Sequence, residues 1–194
     1  PPYKNRLLPT EQRVNDLLGR MNATEKFWQL FMIAGDLSNP KEDYHHGIFG
    51  FQVSALQTTN QQMLTYAPGQ RVRDRVVQFN KIQHYFMDST RLGIPIIFFD
   101  EALHGLVRTE ATAFPQSIGL AATFDVPLMR EVSTAIAAEC KAAGLRQILS
   151  PVVNLATDVR WGRTEETYGE DPYLVSEMSV AYVKSFEEAG IITT

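Results

Sequence analysis

The sequence predicts an α/β fold with a parallel sheet, on three observations. Apolar runs without polar alternation recur at Gly47–Val53, Ile94–Phe99 and Gln147–Val153, as expected of strands covered on both faces. Stretches with the apolar spacing of a helix separate them, the order of βα units joined by right-handed crossovers. The second and third runs each give way to a cluster of acids and arginines, a polarity switch that marks a strand's carboxyl end.

The elements follow in order. Thr10 is placed to cap a first helix carrying Val14, Leu17 and Leu18, and Asn22 to begin a second with Trp28, Phe31 and Met32 on one face. Asn22-Ala23-Thr24 also matches a glycosylation sequon, but Glu25 three residues on favours a capping box. Gly47–Val53 reads as the first strand, its glycines permitting close backbone approach. From Gln70 to about Thr90 the positions Val72, Val76, Phe79, Ile82 and Phe86 follow helical spacing. The strand Ile94–Phe99 stops at Asp100.

Asp125 and Pro127 open a helix through Leu128, Val132, Ala135, Ile136 and Cys140 that Gly144 closes. Pro151 interrupts the third apolar run where strand should yield to loop. Asp171-Pro172, a cap followed by proline at the first helical position, opens a helix to about Ala189 with Gly190 as its stop. Ile191–Thr194 then reads as the start of a fourth strand. There is no internal repeat, low-complexity tract or flexible linker.

Gly47 to Gly50 lack the G-x-G-x-x-G spacing of a dinucleotide-binding turn, so a barrel is the expected architecture. A complete eight-stranded barrel takes roughly 250 residues. The 194 residues therefore read as the first three to four βα units of a TIM-type (β/α)8 barrel, incomplete in this chain.

Composition bounds the function. A 44% hydrophobic, 21% charged chain has the apolar content of a globular protein rather than a disordered one. A net charge of -4 and a pI near 5.6, with no Lys/Arg-rich stripe, argue against nucleic acid as partner. No apolar run reaches the roughly 18 residues a membrane span needs. The single cysteine, Cys140, lies in a helical pattern and reads as a small buried hydrophobe, so a disulfide framework and a thiolate cage are both excluded. His45 and His46 have no third ligand at metal spacing, and no metal is assigned.

The chemistry gathers in two clusters. Asp158–Pro172 packs acids, arginines and aromatics into one turn-rich loop. Arginine forks and carboxylates bind vicinal hydroxyls, and the faces of Trp161 and Tyr168 suit the C–H surface of a sugar ring. The alternative is a solvated loop held by its own ion pairs. The second cluster, Asp100–Arg108, ends the preceding strand, so both would face the barrel's carboxyl-terminal mouth. Asp100 and Glu101 are adjacent on an extended strand and point to opposite faces, so only one can meet a ligand. His104 is read as a hydrogen-bonded structural group in preference to a catalytic base.

Four motifs in order, Glu101-Ala102-Leu103-His104-Gly105, Phe114–Asp125, Ser150–Leu155 and Arg160-Trp161-Gly162-Arg163 through Tyr168–Pro172, resemble the amino-terminal barrel of family-3 glycoside hydrolases. The resemblance implies an exo-acting, retaining enzyme that removes terminal non-reducing β-linked sugars without metal or organic cofactor. It makes residues 1–194 the N-terminal portion of the glycosidase barrel. Its partners would be a glycoside or oligosaccharide substrate, the remainder of its own barrel and a C-terminal domain.

By position, Glu101 resembles the carboxylate that grips the sugar hydroxyls and Arg163 the arginine that joins it, with Arg108 a further arginine of the pocket. Asp100, His104 and Glu166 would orient these groups. No catalytic residue is assigned: the family's nucleophilic aspartate follows a later strand, its Lys-His pair lies on the fourth and its acid/base comes from a following domain, so these residues alone are expected to be inactive. Glutamate at position 101, where many glucose-releasing members have aspartate, leans the reading toward β-xylosidase over β-glucosidase. The alternative class is a non-catalytic or degenerate carbohydrate-binding module. Polysaccharide-derived substrates would place the enzyme in the periplasm or outside the cell.

Overall fold

The computed structural model describes residues 1–38, 43–53 and 70–194, together with the backbone of 55–56 and 65–66. Its elements run α1 (Thr10–Arg20), α2 (Ala23–Trp28), β1 (Met32–Ala34), β2 (Gly50–Gln52), β3 (Ala55–Leu56), β4 (Thr65–Tyr66), α3 (Val72–Ser89), β5 (Ile97–Asp100), α4 (Ser117–Ala121), α5 (Val126–Ala142), β6 (Gln147–Ile148), α6 (Pro172–Ala189) and β7 (Ile192–Thr193). Five strands form one sheet in the order β1-β2-β5-β6-β7, and β3 pairs with β4 in a separate hairpin. Every pairing in the main sheet is parallel. Spatial order follows chain order, with α3, α5 and α6 as the crossovers, which is the arrangement of consecutive units of a (β/α)8 barrel.

Three βαβ crossovers match the expected count of units. The sheet holds one strand more than expected, because Met32–Ala34 is strand β1 and not the end of a helix. The helix begun at Asn22 stops at Trp28, and Phe31 and Met32 leave it to lie beside β2, with Met32 opposite Gly50. Apolar residues at helical spacing that are also contiguous satisfy either periodicity, and pairing with β2 decided between them. The first helix also departs from expectation: its cap is Pro9, and Thr10 is its first helical residue with no capping bond.

The remaining caps are as read. Asn22 accepts from the Glu25 N–H and Glu25 reaches back to the Asn22 N–H, a full capping box. Asp125 and Asp171 cap α5 and α6 through the N–H groups of Leu128 and Leu174, and Gly190 ends α6 in the left-handed region. Gly50 is required by close packing, since a Cβ there would lie 2.4 Å from the Ile97 carbonyl oxygen of β5.

The core lies between sheet and helices. Phe98 of β5 stacks on Phe79 of α3 with ring centroids 4.0 Å apart. Ile136 and Cys140 of α5 and Tyr182 and Phe186 of α6 are completely buried. Phe98 thus marks the side of β5 that meets the helices, and by alternation Glu101 lies on the opposite side of the strand from Asp100.

Candidate functional site

Glu101 stands one residue beyond the end of β5, where the backbone ladder has stopped. The last ladder bond runs from the Leu149 N–H to the Asp100 carbonyl at 2.9 Å. Side chains satisfy the next peptide groups instead. The Glu101 N–H donates to Asp100 Oδ1 at 2.9 Å, the Ala102 N–H to Ser150 Oγ at 3.0 Å, and the Tyr182 hydroxyl donates to the Ala102 carbonyl at 2.6 Å. Ser150 and Tyr182 are fully buried.

Asp100 is likewise fully buried. Its Oδ1 also accepts from Gln52 Nε2 at 2.9 Å and from Arg108 Nη2, and the Arg108 side chain is only 6% exposed. Arg75 of α3 is 1% exposed and feels the charges of both Arg108 and Asp100. Burial, and next the neighbouring Arg108, lower the Arg75 pKa, while Asp100 opposes them. Arg108, assigned from sequence to the sugar, thus spends its guanidinium on Asp100, although it also lines the pocket beside Glu101.

His104 is a tether for its loop. Its Nδ1 pairs with the Phe114 carbonyl at 2.9 Å and its own carbonyl accepts the Phe114 N–H at 2.7 Å. Gly105 follows at φ +125°, where a Cβ would fall 2.2 Å from the Thr112 carbonyl oxygen. The His-Gly pair therefore lets residues 112–114 close against the strand tip. An open pocket of about 180 Å³ remains, lined by Glu101, His104, Arg108 and the intervening chain.

The second cluster reaches the same rim. Burial raises the Glu101 pKa, as do the charges of Asp100 and Glu166, while Arg163 and Arg108 pull it down. Residues 62 positions apart in sequence thus act on one carboxylate. Arg163 Nε lies 3.0 Å from both Glu166 oxygens, and this bond, with the Glu101 charge in support, raises the Arg163 pKa. Arg160 pairs with Asp158 at the exposed end of the loop, so that part of it is the self-paired solvated loop of the alternative reading.

One expectation is corrected here. Tyr168 is 1% exposed and belongs to the hydrophobic core, so its ring offers no face to a ligand; Trp161 is half-buried. Among the described residues no three His, Cys, Asp or Glu side chains gather as metal ligands, and no helix is long and apolar enough to cross a membrane. Sequence reasoning missed Gln52, Arg75, Ser150 and Tyr182. Only Ser150 stood in a recognised motif, and nothing in the sequence links it to Ala102.

A parallel sheet of consecutive βα units, with acids and an arginine-bearing loop following its strand ends, defines part of a (β/α)-barrel. The glycosyl hydrolase family 3 N-terminal domain matches residues 23–194, and the chain belongs to that family. It is 35% identical over 188 residues to a periplasmic β-glucosidase of Salmonella typhimurium, covering 95% of this chain and 22% of that protein. It is 41% identical over 106 residues to a β-xylosidase of Formosa agariphila, covering 52% of this chain and 15% of that one. A solved β-glucosidase from Erythrobacter marinus superposes with a TM-score of 0.80 at 28% identity, over 99% of this chain and 26% of that structure. The chain thus spans about a quarter or less of each of these relatives.

Proposed function

We propose that these residues form part of the sugar-binding subsite of a retaining exo-β-glycosidase that hydrolyses terminal non-reducing β-linked sugars. In this reading residues 1–194 are the N-terminal portion of the barrel, and the rest of the barrel with a C-terminal domain completes the enzyme. What supports it is placement: Glu101 lines an open pocket just past the end of β5, and the Arg163–Glu166 pair stands in the loop that follows the adjacent strand β6. A carboxylate accepting two hydroxyl donors beside a guanidinium that donates to the same sugar oxygens leaves every polar group paired in a site closed to water. Glu166 holds the Arg163 fork in place, and Asp100, itself clamped by Arg108, fixes the backbone of Glu101.

Retaining hydrolysis needs two carboxyl groups about 5 Å apart, one as nucleophile and one as acid and base. Both are assigned to the remainder of the enzyme. The pocket at Glu101 is smaller than the roughly 300 Å³ usual for a small-molecule site, which fits a site whose other walls come from the rest of the barrel.

The test is kinetic, in the complete enzyme. Glu101→Ala and Arg163→Ala should each lower kcat/KM on an aryl β-glycoside by about 100-fold, near 3 kcal/mol of transition-state binding. Near-normal kinetics in either variant would remove that residue from the site. For substrate choice, the extra methylene of Glu101 relative to aspartate pushes its carboxylate toward the space of a hexose CH₂OH, favouring a pentose by about 1 to 3 kcal/mol. Glu101→Asp should therefore shift selectivity from aryl β-xyloside toward aryl β-glucoside, and unchanged selectivity would discard the steric account.

A further inference from the structure

We infer that Tyr182 and Ser150 are positioning residues for Glu101, acting through the peptide groups of Ala102. The inference rests on the reading of Glu101 as a sugar-gripping group. Glu101 lies past the last ladder bond, so β6 no longer holds its backbone. Two hydroxyls take over that task. The Ala102 N–H donates to Ser150 Oγ and the Ala102 carbonyl accepts from Tyr182.

The result is a clamp on both polar groups of Ala102, its N–H held by Ser150 and its carbonyl by Tyr182. Burial in a low-dielectric interior strengthens both bonds. Both side chains have no solvent exposure, so water does not compete for the bonds. Tyr182 comes from the middle of α6 and Ser150 from the turn after β6, so the two bonds tie the third βα unit to the tip of β5. The same third unit carries Arg163. The two bonds therefore help set the spacing between the two groups proposed to hold one sugar, and a misplacement of about 1 Å in such a pair is enough to cost rate.

Alternative duties for these residues are structural, and the experiment separates them. In the complete enzyme, kcat/KM on 4-nitrophenyl β-xyloside and β-glucoside is measured for wild type, Tyr182→Phe, Glu101→Ala and the double variant. Tyr182→Phe keeps the ring stack on Phe186 and removes only the hydroxyl. It should lower kcat/KM about tenfold beside Glu101 and have little further effect once Glu101 is alanine, since coupled residues are not additive. Ser150→Ala, run through the same cycle, should behave alike and serves if Tyr182→Phe does not fold.

A merely structural hydroxyl would lower the unfolding midpoint and leave the kcat/KM of the folded enzyme unchanged, or lower it equally in both backgrounds; either result overturns the inference. Glu101→Ala with wild-type kinetics overturns both the inference and the site reading beneath it. Impairment by Glu101→Ala alone leaves the site standing without its clamp.

Discussion

Replacing Arg108 by methionine strips the buried Asp100 of its closest countercharge while keeping the length of the side chain. The two side chains are 6% and 0% exposed, so water cannot take the place of the lost guanidinium. Breaking a buried ion pair from one side costs about 3–5 kcal/mol. Two features hold the expected loss near the lower end, at about 3 kcal/mol: Asp100 keeps the donors Gln52 and the Glu101 N–H, and Arg75 remains close enough to feel its charge. Asp100→Asn preserves an acceptor for those two donors but leaves Arg75 and Arg108 facing each other, and should cost about 2 kcal/mol. The double variant removes both charges and should cost little more than one single change, a coupling of about 2–3 kcal/mol. Urea unfolding of the barrel, followed by tryptophan fluorescence at constant m-value, measures all three. Losses that add within about 0.5 kcal/mol would refute the claim that this pair secures the strand tip.

Two further predictions concern Glu101 and its loop. The Glu101 pKa is raised by burial and then by Asp100 and Glu166, so the native state holds this proton more tightly than the unfolded chain, and its contribution to stability is present at acid pH and lost as pH rises through the raised native value. Glu101→Gln should therefore gain stability relative to wild type as pH rises from the ordinary carboxylate range toward neutrality; an unfolding-midpoint difference that does not vary with pH would contradict this. Gly105→Ala must place a Cβ against the Thr112 carbonyl at a backbone angle that L-residues avoid, and should destabilise by about 2–4 kcal/mol in the same unfolding assay. Wild-type stability there would mean the 112–114 segment is free to retreat.

Much of the fold was legible because local signals agreed with the final pairing. Asp125 and Asp171 cap their helices, Gly190 stops α6, and Gly50 sits where β2 and β5 approach closely. The misreadings fell where two patterns fit the same residues. Phe31 and Met32 satisfied helical spacing and strand contiguity together, and a three-residue strand carries no periodicity to separate them. Tyr168 was read as a ligand platform because an aromatic among charges in a loop looks exposed, yet the loop folds that ring into the core. Glu101, Arg163 and Glu166 follow from motif positions, and the sugar-binding role of Glu101 and Arg163, with Glu166 as support, is the proposal made above.

What the sequence determined by itself is the order of βα units and the strand ends that carry polar clusters, since apolar periodicity, caps and polarity switches are local properties written into neighbouring residues. What only the tertiary structure decided is how Glu101 is held: that Asp100 takes Arg108 and Gln52, and that Ser150 and Tyr182 close on Ala102 from 48 and 80 residues away. Such bonds depend on where parallel strands stop in register and how helices lie on the sheet, and no spacing along the chain encodes that distance.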